Sequence, residues 1–254
     1  MEQFAVRENA VSSVRPVADI VPFRRNDIDR SSINPSTVIS DHASRPIKDR
    51  EQLEQFKKII LSETGKYSLR NYAIFLLGIN CGLRCGDVLQ IRLQDLWDEE
   101  KQEVKSCRIL EEKTGKVKNV SFSDTAANDL GDYILTISDR TPYTPLFPSQ
   151  KKGSHADTDK RRKDNTGCLD RRSYWRILNN VAKLCNLEHI GTHTMRKTFG
   201  YNVYTMFDGE LIAGKYSALD VTQHMLNHAS SKDTLRYIGI DMEVEETVYR
   251  NMSL

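Results

Sequence analysis

The segment from residue 71 to 81, NYAIFLLGINC, is apolar at nearly every position and constrains the fold more than any other part of this sequence. We interpret about Leu69 to Cys81 as a helix, and a helix that is apolar on all sides has to be covered on all sides. Gly82 suits the position just beyond the end of such a helix. The sequence therefore predicts a buried central helix inside a globular domain.

Helical patterns flank this segment on both sides. Asp49 can cap a helix that has Leu53, Phe56 and Ile60 on one face. Further helices are predicted from about residue 87, over 125–137, from 171, over 194–207, over 218–226 and in the tail EVEETVYRNM. The one clear β signal is a pair of runs, EVKSCRIL and VKNVSF, which the turn EEKTGK joins into a hairpin. The predicted fold is mainly α with a small antiparallel β-sheet, an α+β class.

The first 46 residues differ from the rest of the chain. Prolines at positions 16, 22, 35 and 46 divide them, and no helical period lasts two turns. We therefore interpret 1–46 as an irregular N-terminal arm, either extended or disordered, and 47–254 as one domain. The last part of that domain, from about residue 241, is a tail in which Val244, Val248 and Met252 stand at helical spacing.

The composition excludes some classes of protein. The sequence has no apolar stretch near the roughly 20 residues of a membrane span. Its start, MEQFAVRENA, lacks the pattern of a secretory signal, so we expect a cytoplasmic protein. Cys81 and Cys85 form a close pair, but no second close pair completes a zinc site, and we expect no metal.

The formal net charge of +2 does not by itself indicate a nucleic-acid partner. Basic residues are concentrated between positions 151 and 176, however. The candidate DNA contacts are Lys160, Arg161, Arg162, Lys163, Arg171 and Arg172, together with Lys197 farther along the chain. A basic run of this kind can follow a phosphate backbone and release its counterions, or it can be a solvated loop. The run alone leaves both interpretations open.

Cutting and rejoining DNA without a metal or an energy source needs three kinds of group. A nucleophile must keep the phosphodiester energy in a covalent link. Arginines suit the non-bridging oxygens, because a planar guanidinium bonds two oxygens at once and keeps its charge. A general acid must protonate the leaving 5′-hydroxyl.

Two stretches supply the cations. The stretch CGLRCGD carries Arg84, with Asp87 one turn later as a residue that can orient it. The stretch THTMRKTFG carries His193 and Arg196, which are three residues apart and so share a helix face. Each group alone has an ordinary structural explanation, as a helix-end ion pair or an exposed polar face.

A third stretch, LNHASSKDTLRYIGI, carries His228 and, nine residues later, Tyr237. Taken alone, these are most simply a structural histidine and a half-buried core tyrosine. Tyr249 is a rival nucleophile, but no histidine precedes it at a suitable spacing. Lys113, on the approach to the hairpin tip, is a candidate cation and proton donor. Its competitors are Lys116 and Lys118.

Together, these stretches resemble the signature boxes of the tyrosine recombinase (phage integrase) family, in order and spacing, from about residue 47 to 240. The matching positions are Arg84 in the G-L-R-x-x-[DE] box, His193 and Arg196 in the H-x-x-R box, His228 in the L-[GN]-H box, Tyr237 nine residues beyond it, and Lys113 as the hairpin lysine. Each box is a weak signal, but all of them in this order are specific. The resemblance implies the tyrosine recombinase catalytic-domain fold.

The resemblance also implies a function, that of a site-specific recombinase acting on double-stranded DNA of a mobile element, by integration, excision or resolution. Tyr237 would attack the phosphate and become linked to the 3′ end of the strand. In the family, the 5′-hydroxyl of a second strand reverses this step, so the resemblance implies that no cofactor is needed. The implied partners of Tyr237 are Arg84, Arg196 and His228 on the phosphate oxygens, Lys113 as the acid for the 5′-oxygen, and His193 in proton transfer with the tyrosine. Family members work as multimers, so a dimer to tetramer on DNA is expected, with the tail either docked on a neighbouring copy or packed on its own domain.

The sequence departs from the family pattern in its first part, where members generally carry a helical DNA-binding domain. The 46 irregular residues found there leave three expectations open: weak binding, help from an accessory DNA-binding protein, or a partial clamp made by the arm and the loop around Lys160 to Lys163. Met195 and Asn227 also replace commoner residues of their boxes. Two other functions remain as alternatives. One is a DNA-binding accessory protein or regulator that has lost catalysis, and the other is relaxation of supercoils by the same chemistry.

Overall fold

The apolar segment forms the central helix that the sequence predicts. The computed structural model describes residues 43–138, 140–150, 167–207 and 209–252. In it the helix runs over Ser68–Cys81 (α2), and its side chains from residue 73 to 77 are at most 5% exposed. Gly82 follows with a φ of 60°, the left-handed conformation expected at a helix end.

Longer helices pack around α2 and bury most of the core. They are α1 (Arg50–Glu63), α5 (Asp124–Leu135), α6 (Arg171–Leu184) and α7 (Thr194–Thr205). Asp49 caps α1 as expected, since its side chain accepts a hydrogen bond of 2.7 Å from the backbone N of Gln52. Phe56 of α1 packs on Phe75 of α2 with ring centroids 4.9 Å apart. These helices are close to their predicted bounds.

The helix predicted from residue 87 is divided into two short ones, Cys85–Leu89 (α3) and Leu93–Leu96 (α4). The backbone O of Ile91 accepts a hydrogen bond from Leu146 N, and Arg92 pairs with Pro145 in an isolated bridge. Continuous helix would use these backbone groups within itself. Pairing with the proline-rich loop therefore breaks the helix.

The predicted hairpin is also divided. Cys107–Leu110 (β3) and Val117–Val120 (β4) form the expected antiparallel pair, with Leu110 opposite Val117. The first residues of the predicted strand, Glu103–Val104 (β2), pair instead with Trp97–Asp98 (β1). The described part of the chain thus contains two separate two-stranded sheets rather than one.

Short helices complete the C-terminal part: α8 (Ala218–Met225), α9 (Ser231–Ile238) and α10 (Ile240–Asn251). We did not predict α9, although Ser230 caps it by accepting a hydrogen bond of 3.1 Å from Asp233 N. The helix packs on α7 where Gly200 has no side chain. A Cβ at that position would lie 2.8 Å from Cγ2 of Ile238, so glycine lets the two helices approach.

Some predictions fall on parts of the chain that the structure does not describe. These are most of the N-terminal arm and the basic loop with Lys160, Arg161, Arg162 and Lys163. The domain boundary near residue 46 therefore stays a prediction. Within the described ranges, no helix combines the length and the apolar character needed to cross a bilayer.

Gly82 gives a test of this packing. We expect Gly82→Ala to lower the free energy of unfolding by about 3 kcal/mol or more, because it adds left-handed strain and a steric clash. An ideal Cβ there lies 2.2 Å from Cδ1 of Phe199. Gly115 in the hairpin turn is a matched control, since its φ is 63° and a Cβ meets nothing within 4 Å. Gly115→Ala should cost only about 1 kcal/mol. Equal losses for both variants in urea unfolding would contradict the packing described.

Candidate active site

Arg196 joins three separate parts of the chain. It lies in the first turn of α7 and is only 2% exposed. Its guanidinium donates hydrogen bonds to the backbone O of Gly82 at 2.7 Å and to that of Leu226. It also donates to Oε1 of Glu111 at 3.0 Å. A buried guanidinium is stable only when its donors are satisfied, so these contacts fix its position.

Glu111, at the end of β3, is a site residue that the sequence analysis missed. It is 0% exposed, and its Oε1 lies 3.0 Å from Nη1 of Arg84 as well as 3.0 Å from Nη1 of Arg196. Its Oε2 accepts hydrogen bonds from Thr114 and Asn227. Burial raises the pKa of Glu111, but these hydrogen bonds and the charge of Arg196 more than offset it and hold the pKa at about 2. The carboxylate is therefore ionised and brings the two predicted arginines side by side.

Tyr237 lies beside this arginine pair. Its hydroxyl is 3.2 Å from Nδ1 of His193, its ring is edge-on to that of His228 at a centroid distance of 4.9 Å, and Nζ of Lys197 lies 5.1 Å from its ring centroid. Burial raises the pKa of Tyr237 to about 12, although the charges of Arg196 and Arg84 oppose the rise. The phenol is neutral at pH 7 and needs a base before it can act as a nucleophile.

The pKa values of both histidines are lowered, which favours the neutral form at pH 7. Burial, followed by the charge of Arg196, lowers the pKa of His228 to about 4. Burial, followed by the charge of Lys197, lowers the pKa of His193. Thr234 donates to the backbone O of Ser230, so its oxygen can accept a hydrogen bond from Nδ1 of His228, 3.2 Å away. That bond leaves Nε2 of His228 for a substrate.

Asp87 has a different contact from the one expected. We predicted that it orients Arg84, but the ion-pair partner of Arg84 is Glu111. Oδ1 of Asp87 instead accepts a hydrogen bond of 2.9 Å from the backbone N of Glu112. Asp87 thus fixes the backbone at the base of the hairpin turn. It acts on the site indirectly, because the residue it bonds to follows Glu111.

Lys113 lies exposed in the turn between Glu111 and Thr114, whose side chains bond to each other at 2.9 Å. The buried lysine of the hairpin is Lys118, which is 6% exposed and donates to the backbone O of Met225. Burial, with the charge of Arg196 second, lowers the pKa of Lys118 to about 8. The alternation of strand β4 could have predicted this, because it places Lys118 and the buried Val120 on the same face.

The predicted DNA contacts are only partly described. Arg171 and Arg172 are exposed in the first turn of α6. The charge of Arg171 contributes to the lowered pKa of His193, so it lies on the side of the site that carries this histidine. Lys197 is part of the site itself through its contact with Tyr237.

The geometry joins residues that are far apart in the sequence. Arg84 and Arg196 meet at Glu111, and Tyr237 contacts His193 and His228 beside them. A neutral phenol, neutral imidazoles and two paired arginines in one cluster of side chains suit attack on a phosphodiester.

Comparison with known proteins identifies the family of this chain. The model of the phage integrase family matches residues 48–243. The chain belongs to the phage integrase family. Among known proteins it is similar to the probable integrase/recombinase YoeC of Bacillus subtilis (strain 168), with 29% identity over 209 residues. That match covers 82% of this chain and 97% of the relative.

Solved structures show the same fold. One is the XerH site-specific recombinase bound to palindromic difH substrate in a post-cleavage complex, with a TM-score of 0.57 and 19% identity over 85% of this chain. Another is the Tn1549 transposon integrase in complex with a circular intermediate DNA, with a TM-score of 0.52 and 18% identity over 76% of this chain. The match covers 55% of the XerH chain and 60% of the transposon integrase chain. These findings confirm the family and the fold class expected from the sequence, and they support the expected recombinase function.

The lowered pKa of His228 predicts a loss of stability in acid. Between pH 6.5 and 4 the unfolded chain takes up a proton that the folded state does not, so stability falls as the pH falls. We expect this histidine to contribute about 2 kcal/mol to the difference in unfolding free energy between pH 7 and pH 4. His228→Gln should reduce that difference, whereas His224→Gln, at an exposed position on α8, should leave it unchanged. A His228→Gln variant with the wild-type pH dependence would refute this.

Proposed function

We propose that this chain is a site-specific recombinase that cleaves and rejoins DNA strands through a 3′-phosphotyrosyl intermediate on Tyr237. The observation that carries the proposal is the hydroxyl of Tyr237, which lies 3.2 Å from a neutral imidazole and beside two arginines that share one carboxylate. Family membership supports the same reaction class.

The nucleophile is activated within the site. Nδ1 of His193 accepts the proton of the Tyr237 hydroxyl, and the phenolate oxygen forms a bond to phosphorus as the bond from phosphorus to the 5′-oxygen breaks. The lowered pKa of His193 keeps its imidazole neutral and able to take this proton. In the reverse direction, the 5′-hydroxyl of a second strand attacks the phosphotyrosine, and His193 returns the proton to the tyrosine.

The scissile phosphate is held by Arg84, Arg196 and His228. Arg84 is 21% exposed in its side chain and has donors for non-bridging oxygens, while buried Arg196 fixes the depth of the pocket. The phosphate anion offsets the burial and the charges that depress the pKa of His228. His228 then becomes protonated and donates from Nε2, so positive charge rises in step with the negative charge of the transition state.

Lys113 supplies the proton for the leaving 5′-oxygen. Its exposed position in the hairpin turn leaves it accessible to a DNA strand lying over the site, whereas buried Lys118 is bonded to Met225. We assign a structural role to Lys118, because its hydrogen bond to Met225 fixes the end of α8 just before the loop that carries His228.

The substrate is double-stranded DNA of a mobile element, and the reaction is integration, excision or resolution. The proposed contacts with phosphates next to the site are made by Arg171, Arg172 and Lys197. We propose the same role for Lys160 to Lys163. The chain works as a dimer to tetramer on DNA, with α10 as the contact between copies. Val244 and Val248 of α10, and Met252 just after it, are each more than half exposed. An accessory DNA-binding protein takes part in site recognition, and the cytoplasm is the expected location.

A nicked suicide substrate tests the proposal. Such a duplex loses a short fragment after cleavage, so the covalent adduct accumulates. We expect wild-type protein to form the adduct on DNA from the locus that flanks its own gene, and Tyr237→Phe to form none while it keeps DNA affinity within about threefold. Tyr249→Phe is the matched control, because Tyr249 is 74% exposed on α10 and should be dispensable.

Two results would contradict the proposal. Salt-sensitive binding by wild type without any adduct would indicate a DNA-binding accessory protein instead. Relaxation of supercoils without site preference would indicate a topoisomerase.

A further inference from the structure

We infer that Glu111 is a positioning residue that holds Arg84 and Arg196 in place for the scissile phosphate and lowers the net positive charge around them. This inference rests on the proposed function, because the two arginines are its phosphate ligands. Nothing in the signature boxes marks Glu111, which precedes the hairpin lysine by two residues.

Arg84 and Arg196 share one oxygen of Glu111. Nη1 of Arg84 and Nη1 of Arg196 each lie 3.0 Å from Oε1 of Glu111. Two guanidinium groups that approach one another repel, and the repulsion is strong where water is excluded. An ionised carboxylate between them removes that repulsion and defines the distance between the two cations. The distance between the two arginines is therefore set before DNA binds.

The protein holds Arg196 more firmly than Arg84. Arg196 is 2% exposed and donates to Gly82, Leu226 and Glu111, so protein groups fix its position. Arg84 is more exposed, and its Nη1 makes the ion pair without the angle of a hydrogen bond. Arg84 can thus turn toward an incoming phosphate oxygen while Arg196 stays in place. The difference comes from the bonds of Arg196 to Gly82 and Leu226, since both arginines lie 3.0 Å from the same oxygen of Glu111.

The other carboxylate oxygen of Glu111 bonds to two further parts of the site. Oε2 of Glu111 accepts hydrogen bonds from Thr114 at 2.9 Å and from Asn227 at 3.1 Å. Thr114 follows Lys113 in the hairpin turn, and Asn227 precedes His228. One buried carboxylate therefore links both arginines to the turn with the proposed acid and to the loop with the histidine. A shift of Glu111 would move all of these groups together.

Asn227 fits this arrangement in its backbone as well. Its φ is 51°, in the left-handed region that glycine and asparagine tolerate best. Glycine at this position would satisfy the backbone without contributing a side-chain donor. Asparagine satisfies the backbone and also provides the hydrogen bond to Glu111.

Glu111→Gln removes the charge with little change in shape, and Glu112→Gln is the matched control. Glu112 is the next residue, carries the same charge and is exposed. On the nicked duplex, we expect Glu111→Gln to bind at least as tightly as wild type, because the pocket gains one positive charge. Its first-order rate of adduct formation at saturating protein should fall at least tenfold. Glu112→Gln should keep the wild-type rate within about twofold.

Asn227→Gly covers the case in which Glu111→Gln does not fold. Glycine tolerates the backbone at this position, so only the hydrogen bond to Oε2 of Glu111 is lost. We expect an intermediate effect, with a cleavage rate lowered about threefold or more and binding unchanged. Equal cleavage rates for wild type, Glu111→Gln and Asn227→Gly would overturn the inference. A loss of binding in proportion to cleavage would overturn it too, because that indicates a purely structural role.

A second readout does not depend on cleavage. In wild type, the guanidinium hydrogens of Arg196 should exchange slowly with solvent in NMR spectra of protein labelled with ¹⁵N-arginine, because the group is buried and bonded. Glu111→Gln should raise that exchange rate at least tenfold, while Glu112→Gln should not change it. Unchanged exchange in Glu111→Gln would refute the role of Glu111. A wild type that never forms an adduct would refute the proposed recombinase while leaving this exchange test valid.

Discussion

The site depends on the burial of one guanidinium group. Arg196 is placed where water cannot solvate it, and such a group is tolerated only when protein oxygens take the place of water. Those oxygens come from the end of the central helix, the end of a hairpin strand and the loop after α8. The requirement to satisfy one cation therefore brings together segments separated by 85 and 114 positions in the sequence.

In the proposed mechanism, the site becomes reactive only when the substrate binds. The proposed nucleophile, Tyr237, has a pKa near 12 and His228 beside it a pKa near 4, so neither side chain is charged at pH 7. Glu111 balances one of the two arginine charges. In the proposed mechanism, an incoming phosphate raises the pKa of His228 because it brings negative charge beside the histidine, and the protonated imidazole then offsets the charge of the transition state.

Much of the scaffold could be predicted because its signals are local. The apolar run of α2, the left-handed Gly82 and the cap of α1 at Asp49 all depend on residues within one or two turns. The positions of Arg84, Arg196, His228 and Tyr237 could be predicted as a set, since their motifs keep fixed order and spacing. The resemblance to the family then predicted the fold.

The rest was decided by contacts between distant segments. Nothing near Glu111 in the sequence indicates that it lies between two arginines, since its partner Arg196 is 85 residues away. The break between α3 and α4 comes from a loop more than 50 residues later. The helix with Tyr237 was missed for a different reason. Its cap, Ser230 with Asp233, is a local signal, but it is followed by only eight helical residues.

The most direct test of the account identifies the atom that becomes bonded to DNA. The covalent adduct from a nicked suicide duplex can be trimmed with nuclease, digested with trypsin and sequenced by tandem mass spectrometry. The account predicts that the nucleotide is attached to the peptide that contains Tyr237, through its phenolic oxygen and the 3′-phosphate. A nucleotide on another residue such as Tyr249, or attachment through a 5′-phosphate, would contradict it.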